Sequence, residues 1–136
     1  MEVLEGAKIF AFCFVIIIIL DLVWVGLIMN KFYKKELGTL GRIENGSLKA
    51  NIPATIGVYI LLALGLVVFV FSSSSGVSLA ALRGAILGLV VYGVYELTNY
   101  AVLNNWSSKI VIVDTVWGVV ICGLTSGIVA ILLRYV

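Results

Sequence analysis

Three carboxylates stand within stretches that are otherwise almost wholly apolar: Asp21, Glu96 and Asp114. A charged side chain at the centre of a membrane helix costs about 2.5–3.5 kcal/mol on insertion scales, and residues that bear this cost commonly mark ion or substrate sites. No basic residue is placed to neutralise the three acids, because Arg83 and Arg134 stand near the other ends of their stretches. Desolvation and mutual repulsion must therefore keep them neutral, or they must bind a cation.

Aromatic and amide side chains accompany these acids at helical spacing. Trp24 follows Asp21 by three residues, and Trp117 follows Asp114 by three. Residues three or four apart share a helix face, so each tryptophan is predicted on the same face as its aspartate. The same spacing predicts one polar stripe on the third stretch, and its hydroxyl, carboxyl and amide groups suit hydrogen bonding to the acids. The members of this stripe are Tyr92, Glu96, Asn99 and Tyr100.

The elements that hold these residues follow from composition. Of 136 residues, 62% are hydrophobic and 12% are charged, whereas soluble domains are about half apolar and about a quarter charged. Four apolar stretches are each long enough to cross a hydrocarbon core of about 30 Å. We predict an all-α, polytopic membrane protein, a four-helix bundle forming a single domain over residues 1–136. The predicted helices are 8–29, 52–71, 79–103 and 110–135.

The depths of the three acids predict a shared site. Counted from the nearest polar loop at 1.5 Å per residue, Asp21, Glu96 and Asp114 lie roughly 14, 12 and 8 Å deep on the same side. One cluster between helices one, three and four is therefore expected. The alternative is that the acids only join the helices, although interhelical polar contacts in membranes average about 0.6 kcal/mol.

The polar connections predict the orientation. The loop 31–51 carries five basic residues and the third connection adds Lys109, against Lys8, Arg83 and Arg134 on the opposite side. Basic loops stay in the cytoplasm, which places both termini outside the cell membrane. Tyr33, Leu37 and Leu40 recur at helical spacing within the first loop, so it either forms a short interfacial helix or serves only as a topology signal.

Small residues predict close helix packing. Gly84 and Gly88 on the third helix, and Gly123 and Gly127 on the fourth, let backbones approach in lipid. These faces either meet inside one chain or form a homodimer. The short second and third connections predict that helices two, three and four are antiparallel neighbours. Helix two is expected to be a packing or lipid-facing element.

Two segments resemble a known family. The stretches LDLVWVGLIMNKFYKKELG and YGVYELTNYAVLNNWSSKIVIVDTVWG, together with the proline at the start of helix two, are similar to the bacterial and archaeal membrane family called domain of unknown function 2177. That family's tyrosine–acid–leucine–threonine–asparagine run has aspartate at the position of Glu96, and the change keeps the carboxylate. The resemblance implies four helices and a polar centre, but no activity.

Three functions remain open at this stage. The first is binding or transport of a cation, a proton or a small amphiphile at the acids. The second is an accessory or structural membrane subunit without chemistry. The third is a lipid-modifying enzyme, which the lack of histidine, nucleophile motif and phosphate-binding glycine loop disfavours. No cofactor is required, although a proton or divalent cation suits carboxylate ligands. Lipid is the expected partner, and the net charge of +2 gives no reason to expect nucleic acid.

Overall fold

A computed structural model of the chain describes residues 2–73 and 76–136. Over these residues the protein is mainly helical, with one two-stranded hairpin. The first helix, α1, continues at its end as a π-helical segment over Leu22–Ile28, and a short 3₁₀ turn over Gly38–Leu40 follows the second helix. The elements are α1 (Val3–Asp21), α2 (Asn30–Leu37), β1 (Ile43–Glu44), β2 (Ser47–Leu48), α3 (Ile52–Phe69), α4 (Val77–Val102) and α5 (Ser108–Leu132).

Four of the described helices are long and apolar enough to cross a membrane, which confirms the predicted all-α membrane architecture. These spans are α1 with its π-helical extension, α3, α4 and α5, and they contain 26, 18, 26 and 25 residues. Their bounds agree with the predicted stretches to within a few residues. The largest difference is at the first helix, which begins at Val3 rather than near Lys8, because one lysine does not interrupt helical hydrogen bonding.

The loop 31–51 is folded rather than extended. It begins with α2, so the short helix suggested by the spacing of Tyr33, Leu37 and Leu40 is present. The strands β1 and β2 then pair through a turn in which Asn45 and Gly46 both have positive φ. Asn-Gly is typical of such hairpins because both residues tolerate that conformation. The Asn-Gly pair is visible in the sequence, but the hairpin was not predicted from it. The end of the bundle that carries this loop is called the basic end below.

Helices α4 and α5 are the most closely packed pair. A Cβ added at Gly88 would collide with the carbonyl of Gly118, and one added at Gly84 would collide with the Cys122 carbonyl and the Ser126 side chain. The small residues therefore bring two backbones together inside one chain. A homodimer stays a prediction. Cys13 and Cys122 are buried thiols.

Helix α3 packs mainly on α1, and its contact with α4 is slight. The prediction that helices two, three and four are neighbours is therefore confirmed for helices three and four (α4 and α5) and wrong for the close packing of helices two and three (α3 and α4). The second connection includes Ser74 and Ser75, which lie outside the described residues. A short connection limits only the distance between two helix ends, whereas the close fit of α4 to α5 and the burial of Tyr59 and Leu66 on α3 decide which faces meet.

Candidate functional site

Asp21 is held by two helices other than its own. The hydroxyl of Tyr59 on α3 donates to Oδ2 at 2.7 Å, and the indole nitrogen of Trp117 on α5 donates to Oδ1 at 3.0 Å. Both carboxyl oxygens therefore have a donor in a partly buried setting. Asp21 joins α1, α3 and α5 at one level of the membrane. Tyr59 belongs to this site, although its helix was expected only to pack or to face lipid.

Asp114 is held from the basic end of the bundle. The hydroxyl of Tyr33 on α2 donates to its Oδ1 at 2.6 Å, and Trp24 donates to the Tyr33 hydroxyl at 3.4 Å. Burial, followed by the nearby charge of Asp114, raises the pKa of the Tyr33 phenol. Tyr33 therefore remains a protonated donor at neutral pH. The sequence indicated Tyr33 only through its helical spacing from Leu37 and Leu40 in the first loop, and not as a donor to Asp114.

Glu96 is the most buried of the three acids, with 1% of its surface exposed. The indole nitrogen of Trp106, in the third connection, donates to its Oε2 at 2.8 Å. Its carboxyl group also lies close enough to that of Asp114 for the two to interact. A hydrogen bond between two carboxyl groups needs a proton on one of them, because ionised carboxylates only accept.

The three acids form two linked groups, Asp21 with its donors and Glu96 with Asp114. Asp21 is also close enough to Asp114 to act on it through its charge. Across residues 2–73 and 76–136, no three His, Cys, Asp or Glu side chains are arranged to hold a metal ion. That the three acids act together as one site stays a prediction.

The link between the two groups is a pair of stacked indoles. The rings of Trp24 and Trp117 lie 4.6 Å apart with an interplanar angle of 9°. The first and fourth spans cross the membrane in opposite directions, so each tryptophan meets the aspartate level of the other helix. Trp117 therefore donates to Asp21, and Trp24 reaches Asp114 through Tyr33. The sequence predicted a shared face for each aspartate and its tryptophan, and left open which acid each indole serves.

The other members of the predicted stripe on α4 differ in their surroundings. Tyr92 lies against Gly118 and close enough to Asp21 and Asp114 for an electrostatic interaction. Asn99 is half-buried and joins none of the hydrogen bonds above, and Tyr100 is exposed. Helical spacing predicted one stripe for these residues. In the structure the neighbouring elements bury Glu96 but leave the last turn of α4 more exposed.

Side-chain contacts with the start of α5 hold helix α2 at the basic end of the site. The Ser107 hydroxyl donates to Glu36 at 2.6 Å, and the Lys109 ammonium lies 3.8 Å from the same carboxylate. Together with the Tyr33 hydrogen bond, these contacts hold α2 against the start of α5. The described ion pairs, Lys109 with Glu36 and Lys49 with Glu44, include none of the three intramembrane acids.

The chain belongs to the predicted membrane protein family DUF2177, whose family model matches residues 6–131. That match includes all three intramembrane acids and the aromatic residues that hold them. No curated protein and no solved structure matches the chain. Family membership thus identifies a membrane protein without assigning an activity.

Proposed function

For this member of the DUF2177 family, we propose binding or transport of a monovalent cation, a proton or a small cationic amphiphile at the linked site of Asp21, Glu96 and Asp114. One observation carries the proposal. Glu96 is almost fully buried and in contact with a second carboxyl group, and no described ion pair neutralises either acid.

A purely structural role, in which the acids only hold the helices together, explains this arrangement poorly. Placing each acid in the membrane costs about 2.5–3.5 kcal/mol, whereas an interhelical polar contact stabilises the bundle by only about 0.6 kcal/mol on average. Two carboxyl groups in contact also need a proton or a cation between them, since like charges repel strongly at low dielectric. An apolar pair would join the helices at lower cost.

The groups around the Glu96–Asp114 pair suit the exchange of a proton for a cation. Trp106 donates to Glu96, and Tyr33 donates to Asp114. These neutral donors stabilise a carboxylate without supplying a permanent positive charge. A pair that holds one proton has a single negative charge, which suits one monovalent cation. A divalent metal is less suited, because the third acid is held apart by Tyr59 and Trp117.

Infrared titration in lipid tests this proposal through the variant Glu96→Gln. At neutral pH the parent should show a protonated carboxyl band that the variant lacks, and a bound organic cation should diminish that band in the parent. Glu44→Gln is the matched control, since Glu44 lies on the exposed hairpin. An identical carboxyl band in parent and Glu96→Gln, with no response to cations, would refute the proposed site.

We place the basic end, with α2 and the hairpin, on the cytoplasmic side and both termini outside. The basis is the excess of lysine and arginine in the loop 31–51. In this orientation α2 covers the side of the site that faces the cytoplasm, so entry from that side requires α2 to move. The contacts of Tyr33 and Glu36, which hold α2 in place, then have a functional role as well as a structural one.

A further inference from the structure

A crevice opens where α3 and α4 diverge. Its volume is about 530 Å³, within the range of about 300–1,000 Å³ typical of small-molecule sites. Its walls are mainly apolar and are formed by two helices that the lipid also reaches. Representative wall residues are Leu61, Gly65 and Phe69 on α3, and Leu87 and Val91 on α4.

The crevice is elongated along the membrane normal. Val58 and Phe69 both line it and are eleven residues apart on one helix, which corresponds to roughly 16 Å at 1.5 Å per residue. Gly65 faces Leu87 in this crevice: a Cβ added at Gly65 would lie 3.5 Å from the Leu87 side chain, so a large side chain there would fill the space between them. An elongated apolar crevice that is open to lipid suits an extended alkyl chain.

One acidic group lines this apolar crevice. Asp114 reaches it from α5, while Tyr92 and Tyr95 of α4 line it as well. Because Asp114 also contacts Glu96, a ligand at this position meets the carboxyl pair. An anionic head group would add a like charge in a low dielectric, and an uncharged one would leave the negative charge unbalanced. Charge complementarity therefore selects a positively charged head group.

We propose that this crevice binds a single-chain amphiphile with an amino or ammonium head group, which lies at Asp114 while the alkyl chain lies between α3 and α4. This inference rests on the proposed function and specifies its substrate class. The ligand enters sideways from the lipid, because the crevice opens between two membrane-spanning helices. Binding then brings a positive charge to the Glu96–Asp114 pair.

Tryptophan fluorescence offers a direct readout. All three tryptophans of the chain belong to the hydrogen-bonded site, so a bromine close to the head group of a bound amphiphile should quench them. The probes are 3-bromododecyltrimethylammonium and 3-bromododecyl sulfate, added to the full chain in phosphatidylcholine nanodiscs. We expect saturable quenching by the ammonium probe, and only the weak, linear quenching of lipid partitioning by the sulfate. Equal quenching by both probes would overturn the proposal.

Two variants locate the binding site. Gly65→Phe fills the crevice, and Gly57→Phe is its control, because Gly57 is on the same helix with open space around it and does not line the crevice. Asp114→Asn removes the charge. We expect binding to weaken by at least about tenfold in Gly65→Phe and Asp114→Asn, and to be unchanged in Gly57→Phe. Thermal unfolding of each variant separates lost binding from lost fold.

The possible failures are distinguishable. If Gly65→Phe binds the ammonium probe as well as Gly57→Phe, the crevice is not the site, although a loss in Asp114→Asn would still support the carboxylates as a cation site. If the crevice variants behave as expected while the infrared titration of Glu96→Gln shows no change, the crevice binds the amphiphile but the proposed charge exchange at Glu96 is wrong.

Discussion

The indole nitrogen of Trp117 lies 3.0 Å from Oδ1 of Asp21, so the tryptophan of one Asp-x-x-Trp segment donates to the aspartate of the other. The two segments lie on spans that run in opposite directions. Three residues on a helix correspond to roughly 4.5 Å of rise. The reversal therefore brings each aspartate towards the level of the opposite tryptophan, with the stacked indoles between them.

Removal of the Trp117 donor should destabilise the bundle more than removal of the Trp24 donor. In Trp117→Phe, a carboxyl oxygen of Asp21 loses a hydrogen bond, which we expect to cost about 1.5–3 kcal/mol as for other bonds to charged groups. Trp24→Phe removes only a long bond of 3.4 Å to a hydroxyl, and about 0.5–1.5 kcal/mol is expected. Reversible unfolding in mixed micelles measures both. The reverse order of the two losses would show that stacking, rather than donation, dominates.

Tyr33 should make stability fall at alkaline pH. Burial raises the pKa of its phenol above the ordinary value of 10.0. The native state therefore favours the protonated form, and this contribution is complete below about pH 10 and is lost as pH rises further. Tyr33→Phe should unfold with a weaker alkaline dependence than the parent. Tyr100→Phe, which alters an exposed ring, is the control and should keep the dependence of the parent.

The contact between α4 and α5 should not tolerate a methyl group at Gly88. A Cβ there would collide with the carbonyl of Gly118, and overpacking of this kind usually costs about 1–3 kcal/mol. Gly57→Ala is the matched control, since nothing lies near its added Cβ. Unfolding measurements should show a clear loss for Gly88→Ala and none for Gly57→Ala. Equal stability of the two variants would mean that α4 and α5 are less closely packed than described.

Thiol labelling tests the orientation. Cys13 and Cys122 are buried, so the parent gives a low background with an impermeant reagent. In intact cells, Ser73→Cys between α3 and α4 should be labelled from outside, and Ser47→Cys in the hairpin should be labelled only after lysis. Labelling of Ser47→Cys in intact cells, with Ser73→Cys protected, would reverse the proposed topology.

Local properties of the chain were enough to predict the spans and the candidate acids. Hydropathy depends on short windows, so the four membrane helices could be located to within a few residues. The cost of a carboxylate in lipid is also local, so Asp21, Glu96 and Asp114 stood out without any knowledge of their neighbours. Helical spacing indicated the short helix α2 as one alternative for the first loop.

The partners of these residues depended on the tertiary structure. Sequence spacing defines a face on each helix, but not how far the helix rotates or which neighbour it meets. Close approach of α4 and α5 at Gly88, and burial of α3 on α1, decide that Tyr59 reaches Asp21 and that a crevice remains beside Asp114. Such choices depend on contacts between residues far apart in the chain, such as Trp117 and Asp21, which local periodicity does not contain.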